Sequence, residues 1–207
     1  MSAPDIGGKR RRIPKQARAR ERVERILDAA RRELERGPAT DITIESIAER
    51  ADVAVGSVYS YFSSKTALLL AVAATVMDEA DTEAARQLAE CRNLPWRDAV
   101  ARTLDATLGV LRDSSEYEKL LRTIRFTSEF AAVTAVSNER VADMMSLHPA
   151  FGRAGISRTK AVQICRTVVT AVNALQDRAL ADEHLDFDET LEEAKRLVTG
   201  YLATYLP

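Results

Sequence analysis

Glycine and proline are scarce in this chain, eight and six among 207 residues. Few turn formers leave few places to reverse a strand, which argues against a sandwich or barrel of many short strands. The two cysteines, Cys91 and Cys165, form no motif. That excludes a disulfide framework and fits a reduced compartment, so a cytoplasmic chain is expected. No apolar run of about 18 residues occurs, so no membrane-spanning helix and no membrane partner are expected. The basic N-terminus leads into no apolar stretch, unlike a secretory signal. Only two histidines are present, His148 and His184, and neither stands at ligand spacing from a cysteine or carboxylate. No metal and no cofactor are expected. A glycine-rich phosphate loop, a zinc HExxH and a nucleophile elbow are all missing, so the chain does not read as an enzyme.

Alanine, leucine, arginine and glutamate are abundant, and all favour helix. The expected class is all-α with about nine helices and no sheet. The first runs Arg18–Arg36, with Val23, Ile26, Leu27, Ala30 and Leu34 on one face, and stops at a left-handed cap at Gly37-Pro38. Thr43 is the expected N-cap of a second, Ile44–Ala51. A third, short helix spans Val55–Phe62, and Lys65 opens a fourth that reaches about Ala89. Pro95 precedes a fifth, Trp96–Arg112. Two more follow, Glu116–Phe126 and Ser128–Leu147, then a loop "HPAFGRAG". Ser157 caps a helix to about Ala181. Asp186 caps the last, to about Tyr205.

Charge is unevenly placed. Residues 1–36 hold 12 Lys/Arg against 6 Asp/Glu, a net of +6, whereas the whole chain is at −1. The run Lys9-Arg10-Arg11-Arg12 leads this basic half. Such an arm is either a contact for an anionic polymer or a solvated tail.

One stretch has the opposite character. "VAVGSVYSYFSSK", Val53–Lys65, carries a single charge at its end. Two short helices with a break of about three residues, the second small and polar on its outer face, are the makings of a helix-turn-helix. The second helix of that motif enters a DNA major groove about 12 Å wide, so its tip must be small. Val55, Gly56 and Ser57 satisfy this. Val55 can touch a thymine methyl, and Ser57 and Ser60 offer hydroxyls. Tyr59 and Tyr61 can reach backbone phosphates, and Thr43 and Lys65 stand at helix N-termini suited to phosphate. A helical adaptor that binds protein and never touches DNA is the alternative.

"TIESIAERADVAVGSVYSYFSSKTALL", Thr43–Leu69, resembles the DNA-binding domain of the TetR family of bacterial transcriptional regulators. The shared features are Ile47-Ala48, the turn at Val53, Gly56, Val58-Tyr59, Tyr61-Phe62, and Lys65 with Leu68. Two positions depart from it: Asp52 stands where the turn usually has glycine, and Val55 where polar residues are common. The resemblance implies a basic arm over 1–17, a helix-turn-helix domain over 18–65, and a regulatory and dimerisation domain over 66–207. It implies a homodimeric repressor on a palindromic, double-stranded DNA operator, released by a small-molecule effector. Thr43, Ser57, Tyr59, Tyr61 and Lys65 would be the carried-over contacts, with Arg10, Arg11 and Arg12 reaching the minor groove.

For the effector, polar groups beside apolar stripes are the candidates: Thr103, Thr107, Arg122, Arg125, Phe126, Gln163, Arg166, Thr167 and Thr170. The last two helices are apolar over much of their circumference. Val168, Val172, Leu175, Leu191, Ala194, Val198, Tyr201 and Tyr205 are therefore expected at a dimer interface, or else inside a monomer.

Overall fold

The computed structural model describes residues 15–182 and 184–207. Arg10, Arg11 and Arg12 lie outside the described residues. Among the described residues there are ten helices and no strand. They are α1 Lys15–Arg36, α2 Ile44–Arg50, α3 Val55–Tyr61, α4 Lys65–Glu90, α5 Trp96–Arg112, α6 Ser115–Ile124, α7 Ser128–Met145, α8 Pro149–Arg153, α9 Arg158–Ala181 and α10 Phe187–Leu202. The all-α class is as expected. The additional helix, α8, sits in the segment expected as a loop. Pro149 provides its first turn, His148 Nδ1 accepts from Ala150 N at 3.3 Å, and Gly155 closes it at φ 70°.

Side-chain caps punctuate the chain. Ser64, Ser114, Thr127 and Ser157 each accept from the backbone N–H three residues on, which starts α4, α6, α7 and α9. Thr127 also separates α6 from α7, which could have been read as continuous. At the end of α1 the left-handed cap expected at Gly37 is not formed. The left-handed positions among the described residues are Asp52 and Gly155. Gly37 N–H still donates to Glu33 O at 3.3 Å, and Pro38 ends the helix by lacking a donor.

Two apolar clusters organise the packing. The first joins α1, α2 and α3 to the start of α4 through Ile26, Leu34, Ile47, Val58, Leu68 and Leu69, and continues into α6 through Leu120, Leu121 and Ile124. The second gathers α5, α7, α9 and α10 around Ile164, Cys165, Val168, Val172, Ala194 and Val198. Helix α4 packs against α5 and α7 in its later turns, so one rod passes from the first cluster to the second. The C-terminus is tied back, with Trp96 Nε1 donating to Pro207 O at 3.0 Å.

Candidate DNA-reading face and central cavity

Helix α3 is anchored from beneath. Val58 is fully buried and Phe62 nearly so, one turn apart, which turns the remaining residues outward. Val55, Gly56, Tyr59, Ser60 and Tyr61 are exposed, Tyr59 at 51%, and Ser57 is half-buried. A Cβ built on Gly56 would meet nothing within 4 Å, so internal packing does not require the glycine. Ser60 Oγ donates to Ser57 O at 2.7 Å, which holds its hydroxyl along its own helix.

The turn that aims α3 is a Schellman closure of α2. Val53 N–H donates to Ala48 O at 3.0 Å and Asp52 N–H to Glu49 O at 3.1 Å, with Asp52 at φ 53°. Asp52 therefore takes the left-handed backbone where the family commonly has glycine. Thr43 forms a capping box with Ser46: its hydroxyl accepts from Ser46 N at 3.1 Å, and Ser46 Oγ accepts from Thr43 N at 3.4 Å. The Thr43 hydroxyl proton stays available to an outside acceptor. Lys65 is not a free cation. Its Nζ donates to Thr40 O at 2.9 Å, which pins the α1–α2 loop while leaving two protons for other acceptors.

The second feature is a cavity of about 100 Å³ between α4, α5, α6, α7, α9 and α10. Its wall is mostly apolar, from Met77 and Ala84 through Trp96, Val100 and Leu104 to Val169, Val198 and Leu206. The polar residues on it are few. Ser137 Oγ donates to Asp81 Oδ1 at 2.7 Å, and Arg140 meets Asp81 from the outer side at 2.6 Å. Burial pushes the Asp81 carboxyl up, against the pull of Ser137 and Arg140. Tyr117 OH donates to Asp177 Oδ1 at 3.4 Å. Burial raises both groups, and the Asp177 carboxyl reaches about 6. Thr103, Thr107 and Gln176 also line the wall, with Thr103 and Gln176 buried and none of the three side chains hydrogen-bonded.

These placements revise the effector candidates. Thr103 and Thr107 line the cavity. Arg122 pairs with Glu118 at 3.1 Å on the outside of α6. Arg125 lies over the ring of Phe126, which is 87% exposed, at an outer recess that meets the cavity wall at Asp177. Gln163, Arg166, Thr167 and Thr170 are exposed on α9, and Arg166 pairs with Glu139 at 2.6 Å. Tyr117, Gln176 and Asp177 escaped the sequence reading. Gln176 stands one turn beyond Val172 on an apolar helix, and that spacing was the available signal.

The expected dimer stripe is corrected as well. Val168, Val172, Leu191, Ala194 and Val198 are buried inside the protomer, and Leu175, Tyr201 and Tyr205 are half-buried against the same core. Helix α9 is apolar most of the way round because it packs on α6, α7 and α10 together. The outward stripe of this pair is a different one: Gln163, Thr167, Thr170 and Ala174 on α9, with Leu197 and Gly200 on α10.

Comparison with known proteins agrees with this architecture. Residues 26–72 match the family model described as bacterial regulatory proteins, tetR family, and residues 95–202 match the tetracyclin repressor-like C-terminal domain. The chain belongs to the TetR family. Among its TetR-family relatives, the HTH-type transcriptional repressor KstR of Rhodococcus jostii is 32% identical over 117 residues, covering 55% of this chain and 52% of that protein. KstR of Mycolicibacterium smegmatis is 40% identical over 67 residues, covering 32% of this chain and 33% of the relative. The chain thus spans about half the length, or less, of the curated relatives it matches. Solved structures cover more. A TetR-family regulator from Mesorhizobium loti superposes with a TM-score of 0.69 at 17% identity, over 92% of this chain and 99% of that one. FadR of Bacillus subtilis, solved in complex with stearoyl-CoA, gives 0.61 at 15% identity over 84% and 96%. At these identities the likeness concerns the TetR-family fold. Among the described residues no single helix is long and apolar enough to cross a membrane.

Proposed function

We propose that this protein is a cytoplasmic repressor that binds a palindromic DNA operator as a homodimer and leaves it when a small molecule fills the central cavity. The observation that carries the reading is α3 itself, whose buried Val58 and Phe62 present a small, nearly uncharged tip outward. In this reading Val55, Gly56 and Ser57 face base edges. Thr43, Tyr59, Tyr61 and Lys65 hold phosphates, Ser60 stiffens the helix, and Arg10–Arg12 reach the minor groove. Val55 has no hydrogen-bonding group, so its readout is of methyl groups.

The dimer would form through the exposed stripe of α9 and α10. Leu197 is 46% exposed at its centre, and the small neighbours Ala174 and Gly200 permit close helix approach. Leu197→Glu is expected to give monomers in sedimentation and to cost operator affinity. A dimer that persists would move the interface elsewhere.

Release has two physical routes. Helix α4 carries cavity residues Met77, Ala80 and Ala84 in its later turns, and Leu68 and Leu69 pack under α3 at its start. Helix α6 carries Tyr117 on the cavity side and holds α1 on the other. Glu116 Oε1 accepts from Arg31 at 2.7 Å, while Lys119 Nζ donates to Leu34 O at 2.5 Å and Glu35 O at 3.0 Å, the last carbonyls of α1. A ligand that widens the cavity would displace both helices. Two recognition helices must sit about 34–36 Å apart to grip successive grooves. A ligand lowers DNA affinity only to the extent that it binds the mis-spaced state better.

The test is selection of bound sequences from a random duplex pool. Enrichment of a palindrome, with affinity falling steeply as salt rises, supports the reading. Failure to enrich any sequence would leave a protein-binding helical module instead.

A further inference from the structure

Several helical threonines in this protein satisfy their hydroxyls on the backbone one turn back. Thr75 donates to Ala71 O at 3.0 Å, Thr82 to Asp78 O at 2.8 Å and Thr134 to Phe130 O at 3.0 Å. Thr103 and Thr107, one turn apart on α5, do not. Both hydroxyls are buried without a partner, and both residues line the cavity. Across it, Gln176 on α9 is 2% exposed, and neither its amide oxygen nor its amide nitrogen has a partner. Unpaired groups of this kind are costly to bury, so a partner group is expected at this site. Together they call for a complement that both donates and accepts.

Charge narrows the complement further. No lysine or arginine is among the residues that line the wall. The acids on it are partly engaged: Asp81 Oδ1 accepts from Ser137, Arg140 stands 2.6 Å from Asp81 Oδ2 without hydrogen-bond geometry, and Asp177 Oδ1 accepts from Tyr117. An anionic head would find no cation and two carboxylates. A cationic head would meet Asp81 with Arg140 already against it, and Asp177 with its charge disfavoured by burial. The imidazole of His148, also on the wall with its Nε2 buried and unpaired, has its pKa lowered by burial, so it offers a further hydrogen-bonding nitrogen rather than a cation.

We infer that the cavity takes an uncharged, mainly apolar molecule carrying one hydroxyl or carboxamide, which pairs with Gln176, Thr103 and Thr107. This deepens the effector reading and rests on it. Size follows from the volume. The cavity holds about 100 Å³, against roughly 150 Å³ for an apolar protein cavity that binds benzene. A compact ring fits with slight opening, and a longer body must displace the unbranched side chains of Met77 and Met145, both on the wall.

The experiment uses the full chain and one head-group series: cyclohexanol, cyclohexanecarboxamide, cyclohexanecarboxylate, cyclohexylammonium and methylcyclohexane. The n-decyl counterparts allow for a longer body. Binding is read from Trp96 fluorescence, since Trp96 lines the cavity, and from thermal shift. The alcohol and the amide are expected to bind at least about tenfold tighter than the two ions. Gln176→Leu and Thr103→Val should each erase about tenfold of the preference for alcohol over hydrocarbon. They should leave the hydrocarbon bound at least as well, which shows that the variants are folded. A carboxylate that matches the alcohol overturns the inference. So does a head-group preference untouched in both variants, or the absence of binding by every neutral probe. Operator binding is measured alongside. Neutral probes that bind with the expected preference yet leave the operator complex intact uphold the head-group assignment and defeat the effector reading.

Discussion

Asp177 offers a quantitative check on the interior of the α4–α10 half. Its carboxyl faces the cavity, takes a hydrogen bond from Tyr117 OH at 3.4 Å, and is pushed up to about 6 by burial, against the pull of Tyr117 and Arg125. A group whose folded pKa lies above its unfolded value destabilises the fold when ionised. The native state gains nothing from this below the unfolded pKa of 3.8 and loses stability as pH rises towards about 6, after which the loss is complete. About two pKa units correspond to about 3 kcal/mol, and solvent reaching the outer recess beside Asp177 lowers the figure towards about 1 kcal/mol. Asp177→Asn keeps an oxygen for Tyr117 and removes the charge. Urea unfolding of both proteins from pH 4 to 8 should show the variant more stable by about 1–3 kcal/mol above pH 6. The two curves should converge near pH 4, while every other titration cancels in the difference. A difference that is flat across this range, or that grows on acidification, would refute the buried placement of Asp177.

Three further outcomes are expected. Asp52→Gly relieves a left-handed non-glycine residue and should raise stability by about 1 kcal/mol in urea melts. Asp52→Asn, the control for charge, should share any gain in DNA affinity but not the full gain in stability. Glu116→Gln weakens a charged bond to Arg31, which keeps Glu79 at 2.7 Å, so about 1–2 kcal/mol should be lost. The same variant should blunt effector-driven release in a fluorescence anisotropy assay more than it alters effector binding. Lys65→Ala removes the bond to Thr40 O and a phosphate donor together, so stability should fall by about 1 kcal/mol and DNA affinity should fall alike on all sequences. A loss confined to certain sequences would show that Lys65 does not act on phosphate.

The helix boundaries were legible in the sequence where a residue does one local job. Thr43, Ser157 and Asp186 are caps because a side-chain oxygen three residues before an N–H has a single good use, and each is used that way. The aspect of α3 was equally legible, since Val58 and Phe62 fix which side is down. Periodicity failed where it had to say what covers an apolar face. Val168, Val172 and Val198 carry the same pattern whether a second subunit, a neighbouring helix or a cavity lies against them, and in the protomer they meet the last two. Gln163, Thr167 and Thr170 misled in the converse way. Polar residues bordering such stripes mark a pocket only if they share the stripe's inward face, and these three turn outward. What separates Thr103 and Thr107 from them is the absence of a hydrogen-bond partner in a buried place, a property of the packed molecule that one helix viewed alone does not contain. The same reasoning explains why the long polar chains were poor guides. Arg122 and Arg166 reach carboxylates on the surface, and a flexible cation near a core edge finds water or an acid before it finds a cavity. Thr103 and Gln176 start from positions that packing closes off from solvent, so their polar groups have only the interior to meet.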